Sequence, residues 1–99
     1  MIVIVGTVRL PPANIAAAKG PMEAMVTASR AEDGCIAYAY SEDLLEPGLV
    51  HVNELWRDRE ALAAHFKTPH MATWRAAFPA LGITGRDLKL FDAGEPEAI

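Results

Sequence analysis

Only one cysteine, Cys35, occurs in the 99 residues of this chain. That excludes an intramolecular disulfide and makes a thiolate metal site untenable. Because Cys35 opens an apolar strand, it reads as a small core hydrophobe rather than a nucleophile, and a reducing, cytoplasmic setting is expected. Positive charge is also scarce. Nine Lys and Arg stand against thirteen Asp and Glu, for a net charge of −4, and the cations form no cluster. Phosphate neutralisation supplies most of the affinity for nucleic acid, so nucleic acid is excluded as a partner, and an anionic membrane surface with it. No apolar run approaches the ~20 residues that span a bilayer, and Met1–Leu10 lacks the anatomy of a signal peptide. A Gly-rich phosphate loop, a GxSxG elbow and an HExxH pair are all missing.

What is abundant is apolar surface. Hydrophobic residues make up 52% of the chain, above the ~45–50% of ordinary domains. A chain of this length forms one domain, and a small domain alone buries only ~60–70% of its surface. The excess therefore points to a homodimer.

Met1–Leu10 (MIVIVGTVRL) is β-branched and apolar at both parities as far as Val5, the pattern of a central strand covered on both faces. Gly6 interrupts it and predicts a bulge or the close approach of another backbone. After Pro11-Pro12, the residues Ile15, Ala18, Met22, Met25, Val26 and Ser29 recur at helical spacing, and Gly34 supplies a stop. Pro21 removes a backbone donor within that stripe. The stripe keeps its phase, so one kinked helix is expected; the alternative is a loop to Gly20 and a helix starting at Pro21. Cys35–Glu42 alternates, with Ile36, Tyr38 and Tyr40 on one face and the small residues Cys35, Ala37, Ala39 and Ser41 on the other. The small face is expected to lie under a helix. Pro47-Gly48 marks a turn, and Leu49–Trp56 completes a hairpin. In it Val50, Val52, Glu54 and Trp56 point one way, and Leu49, His51, Asn53 and Leu55 the other.

Asp58 is a good N-cap with Glu60 in the first turn, and Leu62, His65 and Phe66 form a short stripe. Thr68-Pro69 restarts a helix, Thr as cap and Pro at the first helical position. Met71, Trp74, Phe78 and Leu81 line that helix, Gly82 ends it, and Ile83–Phe91 is the last strand. The order β-α-β-β-α-β specifies a ferredoxin-like α+β fold over residues 2–92, an antiparallel sheet with helices on one face, followed by a polar tail, 93–99. Two such sheets packed face to face make a dimeric α+β barrel and cover the bare face.

The unusual residues gather between Glu54 and Trp74 (ELWRDREALAAHFKTPHMATW). His65 is predicted near a helix C-terminus, which favours a positive imidazolium, and His70 in a first turn, which favours the neutral ring. They are therefore candidates for proton-holding and proton-accepting roles, although a solvated His70 and a packed His65 would fit equally. No metal is expected, since the pair lies five residues apart across a helix break. Trp56 and Trp74 are either core or pocket residues; buried, each indole N–H needs a partner, which Glu54 or Asn53 can supply.

Asp33-Gly34-Cys35, Glu54-Leu55-Trp56, Ala61-Leu62-Ala63-Ala64-His65 and Thr68-Pro69-His70-Met71 occur in that order. As a set they resemble the antibiotic biosynthesis monooxygenase domain, within it the quinol monooxygenase branch, from Ile2 to Asp92. The resemblance implies a dimer formed through the sheets. It also implies oxygenation of a small aromatic substrate by O₂ without metal, flavin or nicotinamide. Deprotonating a quinol or anthrone gives an anion able to pass an electron to O₂, which asks the protein for a dry slot, a base and an anion-steadying donor. Assigned by residue chemistry, Trp56 and Trp74 line the slot, His65 or His70 takes the proton, and Asn53 or Arg86 steadies the anion. Two other readings stay open: a non-catalytic small-molecule-binding module, and an isomerase or haem protein of the same fold. Haem-degrading relatives use an asparagine in the first strand, where this chain has Gly6-Thr7. Arg9 and Lys19 are too few to mark a phosphate pocket.

Overall fold

The computed structural model describes all 99 residues. Strand β1 (Ile2–Arg9) ends at Pro11-Pro12, and a short 3-10 turn leads into α1 (Ile15–Arg30). The hairpin β2 (Cys35–Glu42) and β3 (Leu49–Trp56) follows. Then come α2 (Arg59–Phe66), α3 (Pro69–Leu81) and β4 (Thr84–Asp92). The strands form one antiparallel sheet in the order β2-β3-β1-β4, so β1 is internal and the ferredoxin-like order stands. No helix is long and apolar enough to cross a membrane.

Local chemistry accounts for the boundaries. Helix α1 runs unbroken through Gly20-Pro21, which selects the single-helix alternative. The ring of a proline collides with the Cβ of the residue before it in a helical backbone, and Gly20 has no Cβ. The Asp58 side chain accepts from the Ala61 amide and caps α2, while Thr68 accepts from the Met71 amide and caps α3. Gly82 closes α3 with a left-handed backbone, φ 70°. Strand β4 begins one residue later and ends one residue later than the alternation alone indicated.

The core lies between the helices and one face of the sheet. Ile2, Ile4 and Val8 of β1, Val50, Val52 and Trp56 of β3, and Met25, Leu62, Met71 and Trp74 from the helices are all buried. Each large apolar side chain so placed contributes about 1.5–3 kcal/mol. The opposite face carries no helix. Across it Leu55, Val3 and Phe91 stand in one cross-strand row; Phe91 is 51% exposed and Val5, in the next row, 37%.

Strand β2 departs from expectation. Cys35 pairs with Trp56 but Ala37 pairs with Leu55, so Ile36 is an extra residue at a bulge. The bulge puts Cys35 on the same side as Tyr38 and leaves Ile36 exposed. The large face, with Tyr38 buried and Tyr40 half-buried, is the one that lies under the helices. The small face, with Ala37 exposed, does not. A period-two reading assumes an unbroken ladder, and a bulge resets it.

At Gly6, which pairs with Leu88, the backbone of β4 lies close against β1. A Cβ built on Gly6 would stand 1.9 Å from the Asp87 carbonyl oxygen, a backbone atom that cannot swing aside. Gly6→Ala is therefore expected to destabilise the fold by about 2 kcal/mol or more. Urea unfolding checks this, and an unchanged midpoint would show that β4 does not hold this register.

Candidate functional site

A cavity of about 320 Å³ opens between α3 and the helix-facing side of the sheet, within the usual size range for small-molecule sites. The buried alternation of the strands builds its floor from Ile4, Val8, Val52 and Leu88. Its walls are aromatic. Tyr40 stacks on Trp74, ring centres 5.7 Å apart at 28°, and Trp74 meets Phe78 edge-on at 5.2 Å. Phe66, at the end of α2, is 42% exposed and closes one side; it belongs to the cavity and not to the core stripe.

Polar groups in this lining are few. Tyr38 and Tyr40 share a hydroxyl–hydroxyl hydrogen bond of 2.7 Å, and burial pushes both phenols well above their ordinary range, so they stay protonated. Glu54 is buried, and its Oε1 accepts from the Trp56 indole N–H at 2.9 Å. Burial raises the Glu54 carboxyl above its ordinary value, and the Trp56 hydrogen bond and the charge of Arg86 only partly oppose this. Arg75 from α3 and Arg86 from β4 complete the polar lining with Lys89.

Behind Tyr38, beyond the buried Trp56, lies a second cluster. Glu32, in the turn after α1, presents one oxygen to both histidines: His65 Nδ1 is 2.6 Å from Oε2 and His70 Nε2 is 2.8 Å from it. The break between α2 and α3 lets a residue from each helix reach the same carboxylate. His65 is wholly buried, its ring 4.6 Å from Trp56 and 5.5 Å from Tyr38, and its Nε2 has no partner. Three atoms of metal-ligating type thus lie within 4.8 Å of one another. Both imidazoles lie at hydrogen-bond length from the same carboxylate oxygen.

The residues singled out by sequence divide accordingly. Glu54, Trp74 and Arg86 line the cavity. His65 and His70 meet each other but face Glu32, and Trp56 is wholly buried one layer back. Asn53 is exposed on the other face of the sheet. Burial works against the expectation that His65 holds the proton. Burial lowers its pKa from 6.5 even against the opposing pull of Glu32, because removing a charged ring from water outweighs one neighbouring carboxylate here. Tyr38 and Tyr40 were missed because the wrong face of β2 was turned inward. Glu32 had no local signal, since its partners lie 33 and 38 residues away.

With this geometry in place, comparisons with known proteins agree in one direction. The family described as antibiotic biosynthesis monooxygenase matches residues 1–77. A crystal structure described as a putative antibiotic biosynthesis monooxygenase from Deinococcus radiodurans is 29% identical, with a TM-score of 0.91 over 100% of this chain and 98% of that one. "Putative monooxygenase Rv0793" of Mycobacterium tuberculosis is 40% identical over 55 residues, 56% of this chain and 54% of that protein. Its solved structure matches with a TM-score of 0.78 at 29% identity, over 99% of this chain and 98% of that one. "Uncharacterized protein sll1783" of Synechocystis is 29% identical over 98 residues, 99% of this chain and 67% of that protein.

The lowered pKa of His65 has a consequence for stability. Below its ordinary value of 6.5 the unfolded chain takes up a proton that the folded ring resists. This contribution is thus complete above pH 6.5 and is lost as pH falls toward the folded pKa, at up to about 1.4 kcal/mol per pH unit. His65→Gln should flatten the dependence of the urea midpoint between pH 7 and pH 5. Identical slopes in both proteins would remove His65 as its source.

Proposed function

Since this chain belongs to the antibiotic biosynthesis monooxygenase family, we propose that it oxidises a quinol-like or polyketide aromatic with O₂, bound in the cavity between α3 and the sheet. The observation that carries the reading is Glu54, a lone carboxyl in an aromatic-walled cavity with its affinity for a proton raised by burial. A carboxylate in water is a weak base, and raising its pKa toward the working pH makes it a better one. In this reading the base is Glu54 rather than either histidine, neither of which lines the cavity.

The steps follow from placement. Trp74, Tyr40 and Phe78 hold the flat ring system, and Glu54 removes the phenolic proton. The Tyr40 hydroxyl and the positive charge of Arg86 steady the resulting anion, which donates an electron to O₂. The superoxide and substrate radical join at a ring carbon. Loss of that carbon's proton with cleavage of the O–O bond then releases water. A quinol is left as the hydroxyquinone, or an anthrone as the anthraquinone, four electrons more oxidised. The electrons come from the substrate, so the reading requires no flavin, nicotinamide or metal. The haem alternative is disfavoured because none of the three histidines lines the cavity to ligate iron.

Oxygen uptake with a menadiol-type quinol is the test. Glu54→Gln keeps the shape and an acceptor for Trp56 while removing the base, and is expected to lower kcat by roughly 10²–10⁴-fold. If Glu54→Gln turns over normally and His65→Ala/His70→Ala does not, the base is a histidine. If the folded wild-type protein consumes no O₂ across a panel of quinols, the reaction class is wrong and a binding module remains.

The bare sheet face supports a dimer joined sheet to sheet, with the Leu55–Val3–Phe91 row at its centre. Val3→Glu puts a charge in that row without touching the cavity, and sedimentation velocity is expected to show the dimer replaced by monomer. A variant that still sediments as a dimer would move the interface elsewhere.

A further inference from the structure

The chain has six arginines, and four make side-chain hydrogen bonds within the molecule. Arg9 bonds Glu46 at 3.0 Å, and Arg30 donates to the Tyr38 carbonyl at 2.8 Å. Arg57 bonds Asp58 and Asp33, and Arg59 bonds Asp92 at 2.7 Å. The two that bond nothing are Arg75 and Arg86, and both line the cavity. They come from different elements, and both are exposed. Arg75 projects from α3 with its guanidinium carbon 6.0 Å from the centre of the Phe66 ring, while Arg86 projects from β4 near Glu54 and Tyr40. In a chain of net charge −4, two uncommitted guanidinium groups at one apolar cavity run against the overall field.

We propose that the cavity selects an aromatic acid, a flat ring system bearing one carboxylate held by Arg75 and Arg86. This rests on reading the cavity as the substrate site and narrows the substrate within it. A neutral quinol would use Arg86 to steady its developing anion and leave Arg75 to water. A permanent carboxylate engages both, because the planar guanidinium fork matches two carboxylate oxygens. The ring system enters the aromatic slot beside Trp74 and Tyr40.

Two ligands differing only in the carboxylate, 1-hydroxy-2-naphthoate and 1-naphthol, test this by displacing the fluorescent neutral probe N-phenyl-1-naphthylamine from the full-length protein. The naphthoate is expected to displace the probe at a concentration at least about tenfold lower. That advantage, read as the ratio of the two ligands' displacing concentrations within one protein, should shrink in about 0.5 M NaCl and vanish in Arg75→Gln/Arg86→Gln. Equal potencies, or an advantage that survives the double substitution, would overturn the aromatic-acid assignment and leave the oxygenation reading standing. Failure of the probe to bind the wild-type protein would overturn both.

Discussion

The hydrogen bond from the Trp56 indole to Glu54, 2.9 Å long and fully buried, is the contact around which the rest of the molecule is arranged. The two residues stand two apart on one strand, so period-two geometry puts both on the helix-facing side. A carboxyl carried there from water loses several kcal/mol of hydration if it is ionised. A hydrogen bond to a charged group returns only about 1.5–3 kcal/mol. The balance is unfavourable to the anion, which is why the Glu54 carboxyl holds its proton more tightly than usual. An inert core would have an aliphatic residue at this position, and the open side of Glu54 is instead the cavity.

The same contact joins the cavity to the cluster behind it. Trp56 bonds Glu54 on one side and packs its ring against His65 on the other, and His65 is tied to Glu32 and through it to His70. One carboxylate oxygen thus pins the turn after α1, the end of α2 and the first turn of α3. The Thr68-Pro69 restart makes this possible, since a continuous helix would set residues five apart on different sides of its axis. The histidines lie behind the cavity lining and support it.

What was legible in the sequence was local. The caps at Asp58 and Thr68, the stop at Gly82 and the alternation of Val50, Val52, Glu54 and Trp56 all involve residues within a few positions of each other, and each was found where its chemistry put it. The close approach at Gly6 was legible too, because only a missing side chain permits it. What was not legible depended on distance along the chain or on a broken rule. The bulge at Ile36 moved Cys35 to the side of Tyr38, and Tyr38 and Tyr40 were hidden because the small face of β2, not the large one, was expected under the helices. Glu32 was not singled out, because both its partners lie more than thirty residues away. Asn53 was assigned to the site for its chemistry although its parity already set it on the far face from Glu54. Arg75 sits in a helix whose apolar stripe drew attention to Trp74 beside it.

The two faces of β3 explain how so short a chain carries both a cavity and an apolar excess. Glu54 and Trp56 serve the inner face, while Leu55, between them, joins the apolar row on the bare one. No side chain serves both, so the faces communicate only through backbone register. Strand β4 pairs with β1 along its length, packs against it too tightly at Gly6 for a side chain, and also supplies Arg86 and Leu88 to the cavity. A shift of β4 by one residue would exchange its two faces, moving Arg86 out of the cavity and Phe91 into it. The glycine is thus a constraint on the site, although it touches no part of it.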